Sequence, residues 1–242
     1  MKAIFQSFFQ MSSLPVVLNA KAKHTATLIF LHGLKENGHK WAGILKTIQP
    51  DYLKIVCPTA PSIPVKIFEG KVKPSWFNFK SIATDETGFY PIDEDMEHIE
   101  TSTNTLQNII DSEAKELACG DKTRLMIGGF SGGGVIALNM LLKSKEKLGG
   151  CIALSCYIPD VTYKTVVPEV SRKIETPILH CHGAADMALS FKRAKATSKI
   201  LSSIVQQYDF QLVPDMGHES SQEEMRIVQK FLVNQFPPKS TI

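Results

Sequence analysis

The 242-residue sequence is short of most features that would mark a specialised class. Its five cysteines, at 57, 119, 151, 156 and 181, are an odd number at irregular spacing. That excludes a disulfide framework, and no CxxC pair appears. Cys57, Cys151, Cys156 and Cys181 lie inside apolar runs, where a free thiol packs as a small core residue. A reducing, cytoplasmic compartment is the expectation. No apolar run reaches the ~18 residues of a membrane span. Nor is there an excess of either charge: 27 basic residues face 24 acidic ones, a net +3. This argues against nucleic acid or an anionic membrane as partner, since both need a clustered basic face. The first residues, Met1 to Met11, are faintly signal-like, but Gln6, Ser7 and Gln10 interrupt them, no small-x-small cleavage site follows, and Lys2 stands where myristoylation needs glycine. Residues 1–13 are therefore not expected to serve as a targeting segment. Internal repeats and low-complexity linkers are also missing.

What is present is the composition of a globular domain, 43% hydrophobic and 21% charged, long enough to build a core without staples. Short apolar runs recur at Thr27–Leu31, Leu53–Cys57, Arg124–Ile127, Cys151–Cys156, Ile178–Cys181 and Tyr208–Val213. The first five are almost continuously apolar, as strands covered on both faces are. Helical spacing lies between them. Leu106, Ile109, Ile110, Ala114 and Leu117 share a face, and Phe191 to Val205 do so less cleanly. Ser221-Gln-Glu-Glu224 is a capping-box pattern ahead of Met225, Val228, Phe231 and Leu232. Alternating strands and helices predict an α/β fold: a mostly parallel central sheet with helices on both faces and right-handed crossovers. One domain spanning 1–242 is expected. Residues 58–95, proline-rich and without clear periodicity, are read as a long loop excursion near the functional edge.

The chemistry centres on Gly128-Gly-Phe-Ser-Gly-Gly-Gly134, which follows an apolar strand and opens an apolar helix. This is G-x-S-x-G in its strand–turn–helix setting. The glycines let the helix approach the strand while Ser131 is held in a strained turn with its hydroxyl exposed. A phosphate loop would need GK[ST], which is absent. A serine hydroxyl needs a base, and in such sheets the partners follow in the order Ser, Asp or Glu, His. His24, His32, His39 and His98 precede or lie away from that order, and His180 lies within a strand. His218 follows the strand through Val213, in the turn Pro214-Asp-Met-Gly-His218. Asp186 follows the strand ending at Cys181-His-Gly183. Ser131, Asp186 and His218 thus all fall at the C-terminal edge of the sheet, where such folds work. The backbone N–H groups of Gly132 and Leu34 are the expected oxyanion donors. His180-Cys181-His182 alternates across a strand and cannot converge on one ion, so no metal is expected. The stretch Ile63 to Trp76 is expected to supply apolar walls beside the serine, with Trp76 as a substrate-binding residue.

These residues resemble the acyl-protein thioesterases, the lysophospholipase/carboxylesterase group of α/β-hydrolases. The resemblance runs from about Leu31 to Phe231. It rests on Leu31-His-Gly-Leu34 with Asn37-Gly-His39 and Trp41, on Ala60-Pro61, Pro64-Val65 and Ser75-Trp-Phe77, and on Gly128-Gly-Phe-Ser-Gly-Gly133. Ala153-Leu-Ser-Cys156, Pro159, His182-Gly183, Asp186 and Met216-Gly-His218 complete it. The resemblance implies an α/β-hydrolase fold, a triad of Ser131, Asp186 and His218, and an oxyanion hole of Leu34 and Gly132. It also implies hydrolysis, without a cofactor, of S-acylated proteins, or of lysolipids and small acyl esters. It leaves room for a peripheral membrane encounter and a homodimer. A lysophospholipase or short-chain carboxylesterase is the alternative on the same triad, and a non-catalytic binding module the alternative of another class. The departures are local: Gly132 stands where the family has Gln, Lys35-Glu36 where it has Gly-Asp, Ala184 where it has an acid, Met187-Ala-Leu189 where it has Pro and its followers, and Asn78 where it has Asp.

Overall fold

The computed structural model describes residues 14–82, 92–117, 120–169 and 173–237. Residues 1–13 and Cys119 lie outside them. The central sheet uses β1 (Val16–Leu18), β2 (Ala26–Leu31), β3 (Leu53–Cys57), β8 (Leu125–Phe130), β9 (Gly150–Leu154), β10 (Ile178–Gly183) and β11 (Tyr208–Val213). Its order is β1-β3-β2-β8-β9-β10-β11. Only β1 runs antiparallel, against β3. Strands β2, β8, β9 and β10 are wholly buried, which is why their sequences are continuously apolar. The edge strand β11 is only partly covered.

Alternation along β2 feeds two cores. Leu28 and Phe30 pack with Trp41, Leu45, Met126, Val228 and Leu232. Those partners come from β8, α1 (Gly38–Lys46) and α6 (Gln222–Gln235). Ile29 and Leu31 pack with Leu106, Ile110, Val135, Ile136 and Leu201, from α2 (Met96–Glu116), α3 (Gly132–Lys143) and α5 (Phe191–Ile204). A short helix, α4 (Asp160–Thr165), follows β9. The chain runs outward from β2 to β3, then crosses back over β2 to β8. The C-terminal ends of β2 and β8 therefore flank a topological switch point, where open α/β sheets bind ligands.

Three features depart from the sequence expectation. Strand β1 is a three-residue antiparallel addition, too short to show a pattern. Helix α1 is announced only by its cap, Asn37, whose side chain accepts the Lys40 N–H. The segment 58–95 is not a plain loop. It folds into the hairpin of β4 (Ser62–Val65) with β5 (Lys71–Pro74), and β6 (Phe79–Ile82) pairs with β7 (Ile92–Glu94). In β4, Ile63 and Val65 are buried while Ser62 and Pro64 are exposed, so a period-two signal exists but prolines break its recognisable form. The capping box of α6 is half made. Ser221 Oγ accepts the Glu224 N–H at 3.1 Å, yet the Glu224 carboxyl turns inward, fully buried, and neither oxygen has a partner among the described residues.

Candidate active site

Strand β8 passes through Gly128-Gly129 and turns at Ser131 directly into α3. Ser131 sits at φ 52°, ψ −121°, a conformation costing on the order of 1–3 kcal/mol. It is pinned on both sides: its N–H donates to the Leu154 carbonyl at 2.8 Å, and its carbonyl accepts the Val135 N–H at 3.0 Å. The approach of helix to sheet requires glycine nearby, since a Cβ on Gly133 would lie 2.2 Å from the Leu31 carbonyl oxygen. Although Ser131 is the N-cap of α3, its side chain makes no capping bond, so Oγ is free for another partner.

That partner is His218. Its Nε2 lies 3.0 Å from Ser131 Oγ, and its Nδ1 lies 2.7 Å from Asp186 Oδ2. An ionised carboxylate only accepts, so Nδ1–H donates to Asp186 and Nε2 offers a lone pair to the serine hydroxyl. The second oxygen of Asp186 accepts the N–H groups of Ala188 at 2.9 Å and Leu189 at 2.8 Å. Burial alone would raise the Asp186 pKa. The hydrogen bond from His218, then that from Leu189, outweigh burial and hold the carboxyl below its ordinary value.

The loops carrying acid and base are locked together. Ala184 N–H donates to the Val213 carbonyl at 2.9 Å and Ala185 N–H to the Met216 carbonyl at 3.0 Å. A Cβ on Gly183 would come within 2.2 Å of that Met216 oxygen. The Phe130 ring packs 4.9 Å from the His218 ring. The three residues expected from the sequence therefore meet, from the ends of β8, β10 and β11.

The loop after β2 reaches the same point. Gly33 N–H goes to Glu36 Oε2 at 2.9 Å, Lys35 N–H to the Pro74 carbonyl at 3.0 Å, and Glu36 N–H to the Gly33 carbonyl at 3.2 Å. Leu34 N–H, between them, has no acceptor among the described residues. Gly132 opens α3, where N–H groups lack a carbonyl one turn back. Glu36 anchors this loop, accepting the Trp41 indole N–H at 2.7 Å as well and pairing with Lys40. Burial would raise the Glu36 pKa, but the hydrogen bonds from Lys40, Trp41 and Gly33 bring it below the ordinary value. Lys35 adopts a left-handed φ of 67°.

His32 pins the loop from beneath. Its Nδ1–H donates to the Gly33 carbonyl at 2.6 Å, and its Nε2 accepts the Ala60 N–H at 2.9 Å. That pairing requires the neutral imidazole, and burial lowers the pKa accordingly.

Trp76 is 2% exposed, and its indole N–H donates to the His32 carbonyl at 2.8 Å. That bond holds the start of the Leu34 loop. The neighbouring Phe77 is the aromatic ring that reaches the start of α3. His180 and His182 are both buried, bonded to the Tyr208 hydroxyl at 2.8 Å and the Leu189 carbonyl at 2.9 Å. Among the described residues no group of three or more His, Cys, Asp or Glu could hold a metal ion. Sequence reasoning missed His32, Glu36 and Phe130 as supports. The position of His32 right after β2 is the available signal for it.

A serine hydroxyl, an imidazole and a buried carboxylate in line at the carboxyl edge of a parallel sheet define a serine hydrolase of α/β-hydrolase fold. The chain belongs to the phospholipase/carboxylesterase family, whose model matches residues 12–235. Acyl-protein thioesterase 1 of Gibberella zeae is 32% identical over 231 residues, 93% of this chain and 97% of that protein. Acyl-protein thioesterase 1 homolog 1 of Dictyostelium discoideum is 34% identical over 218 residues, 88% of this chain and 92% of its own. Among solved structures, Zea mays acyl-protein thioesterase 2 superposes with a TM-score of 0.76 at 27% identity, covering 91% of this chain and 98% of that one.

Proposed function

We propose that this enzyme cleaves fatty-acyl thioesters of S-acylated proteins through an acyl-serine intermediate on Ser131. The observation that carries the reading is the two-bond relay, 3.0 Å from Ser131 Oγ to His218 Nε2 and 2.7 Å from His218 Nδ1 to Asp186. In the first half-reaction His218 takes the hydroxyl proton as Oγ attacks the acyl carbonyl. Asp186 holds the imidazole in the receptive tautomer and stabilises the imidazolium. The Leu34 and Gly132 N–H groups face the oxyanion, each such donor being worth roughly 3 kcal/mol in the transition state. His218 returns its proton to the departing thiolate. Water, deprotonated by His218, then attacks the acyl-serine, and His218 passes that proton to Ser131 Oγ as the fatty acid leaves.

Relatives named acyl-protein thioesterase support the thioester substrate. The substrate's acyl chain resides in a membrane, so the encounter is peripheral; among the described residues no helix is long and apolar enough to cross one. Free, buried Cys57, Cys151, Cys156 and Cys181 suit a reducing cytoplasm. The family's description, phospholipase/carboxylesterase, favours a second reading on the same residues, hydrolysis of lysolipids or short-chain esters. Rates on oxyester and thioester series from acetyl to palmitoyl decide between them, with His218→Ala as control. A rise in kcat/KM toward long acyl thioesters is expected. A maximum at short oxyesters with no thioester turnover overturns the first reading.

A further inference from the structure

Around Ser131, Gly129, Gly133 and Gly134 stand where neighbouring atoms leave no room for a side chain. A Cβ would lie 2.3 Å from the Gly133 carbonyl carbon at Gly129, 2.2 Å from the Leu31 oxygen at Gly133, and 2.6 Å from Cys156 Sγ at Gly134. Gly132 is different. Among the described residues beyond its own helix and chain neighbours, a Cβ there would meet only the edge of Phe77, at 3.5 Å from Cε1 and 4.0 Å from Cζ, which is ordinary van der Waals contact. Its φ is not in the left-handed region either. Neither packing nor backbone conformation requires glycine at this position.

The missing side chain therefore leaves space beside the proposed nucleophile. Gly132 follows Ser131 directly, their Cα atoms about 3.8 Å apart, so this space lies beside the residue whose Oγ would carry the acyl group. The atoms that would enter it are substituents on the carbon next to the carbonyl. Its far wall is firm: Phe77 is 2% exposed and packs edge-on against Phe79 at 4.9 Å. An apolar ring edge recognises hydrocarbon.

We infer that Gly132 and Phe77 form a subsite for bulk at the acyl C2 position, so that the enzyme accepts esters and thioesters of C2-branched or aryl acids alongside linear ones. The inference rests on the reading of Ser131 as nucleophile and adds a class of acyl group to it. Gly132 is in this account the residue that sets specificity: any side chain there fills the subsite while keeping the N–H.

The test is the ratio of kcat/KM for 2-methylbutanoyl and benzoyl esters to that for the butanoyl ester, all with a p-nitrophenol leaving group. A ratio cancels any general effect of altering the turn. In the native enzyme the branched and aryl esters are expected within about tenfold of the linear one. Gly132→Ala should lower the ratio by about tenfold, the discrimination that one carbon in an apolar pocket provides. Phe77→Leu in the Gly132→Ala background should raise it again by moving the wall back. Thermal melts of both variants confirm folding. A ratio unchanged by Gly132→Ala in a folded enzyme overturns the subsite, as does a native enzyme that already rejects C2 branching by a hundredfold. Absence of turnover on the linear ester by native protein would instead overturn the hydrolase reading beneath it.

Discussion

Replacing Asp186 by Asn changes one atom, and the surroundings dictate what that atom does. Oδ1 of Asp186 accepts two backbone N–H groups, from Ala188 and Leu189. An amide at this position must keep its oxygen there, because turning the NH₂ toward two donors would leave three donors facing one another with no acceptor. The NH₂ is then forced onto the side facing His218 Nδ1, now 2.7 Å from a carboxylate oxygen. A donor at that place requires Nδ1 to accept, which moves the imidazole proton to Nε2. Nε2 then donates toward Ser131 Oγ and can no longer take its proton. The fold is untouched, because packing and both loop bonds remain. The tautomer is wrong, and the stabilisation of the imidazolium is lost as well. Such a change lowers kcat by about 10⁴-fold, or ~5.5 kcal/mol at 1.36 kcal/mol per decade. The assay is single-turnover acylation with a p-nitrophenyl ester, with circular dichroism and a thermal melt as controls for folding. Asp186→Asn within tenfold of the native rate, with a native melt, would refute the reasoning.

Further perturbations test other parts of the account. Ser131→Gly should abolish turnover yet stabilise the fold by about 1 kcal/mol, since the φ of 52° strains any residue with a Cβ; calorimetry showing a loss of stability would count against the strain. Trp76→Phe removes the indole donor and leaves the buried His32 carbonyl without it, so a loss of about 1–3 kcal/mol and a fall in kcat larger than the change in KM are expected. Burial holds the pKa values of His32, His180 and His182 below 6.5, that of His180 at about 3. The folded protein thus prefers them neutral, and stability present above pH 6.5 is lost as pH falls, by up to ~1.4 kcal/mol per unit for each group. Glu224 acts in the opposite direction. Burial raises its pKa from 4.5 to about 8, so the folded state retains a proton the unfolded chain has released, and stability falls as pH rises between those values. Glu224→Gln should therefore stabilise the protein by about 3 kcal/mol at pH 7 and by little at pH 4; urea titrations at the two pH values read the difference.

The buried strands and their order along the chain were legible because a parallel sheet covered on both faces writes continuous apolar runs. The positions of Ser131, Asp186 and His218 were legible for a related reason: each lies just past such a run, and strand ends of one direction share one edge. The support beneath them was not. His32 acts through contacts to Ala60 and Trp76, 28 and 44 residues away, and no local pattern announces a long-range hydrogen bond. The indole bond from Trp76 to the His32 carbonyl is equally long-range, so the brace it makes leaves no local trace in the sequence. The Ser221–Glu224 signature correctly marked the start of α6 but not the direction of the Glu224 side chain, which depends on the space beneath the helix. The hairpin of β4 and β5 escaped notice because Pro61, Pro64 and Pro74 read as breakers, though Pro64 occupies an outward position of a two-stranded ribbon.

The central claim is that the relay makes one particular serine nucleophilic. Intact-mass and peptide mapping after exposure to a fluorophosphonate tests it directly. One adduct per chain on Ser131 is the predicted outcome, absent in Ser131→Ala and formed at least a hundredfold more slowly in His218→Ala. Stoichiometric labelling that persists in Ser131→Ala, or a rate indifferent to the loss of His218, would contradict it.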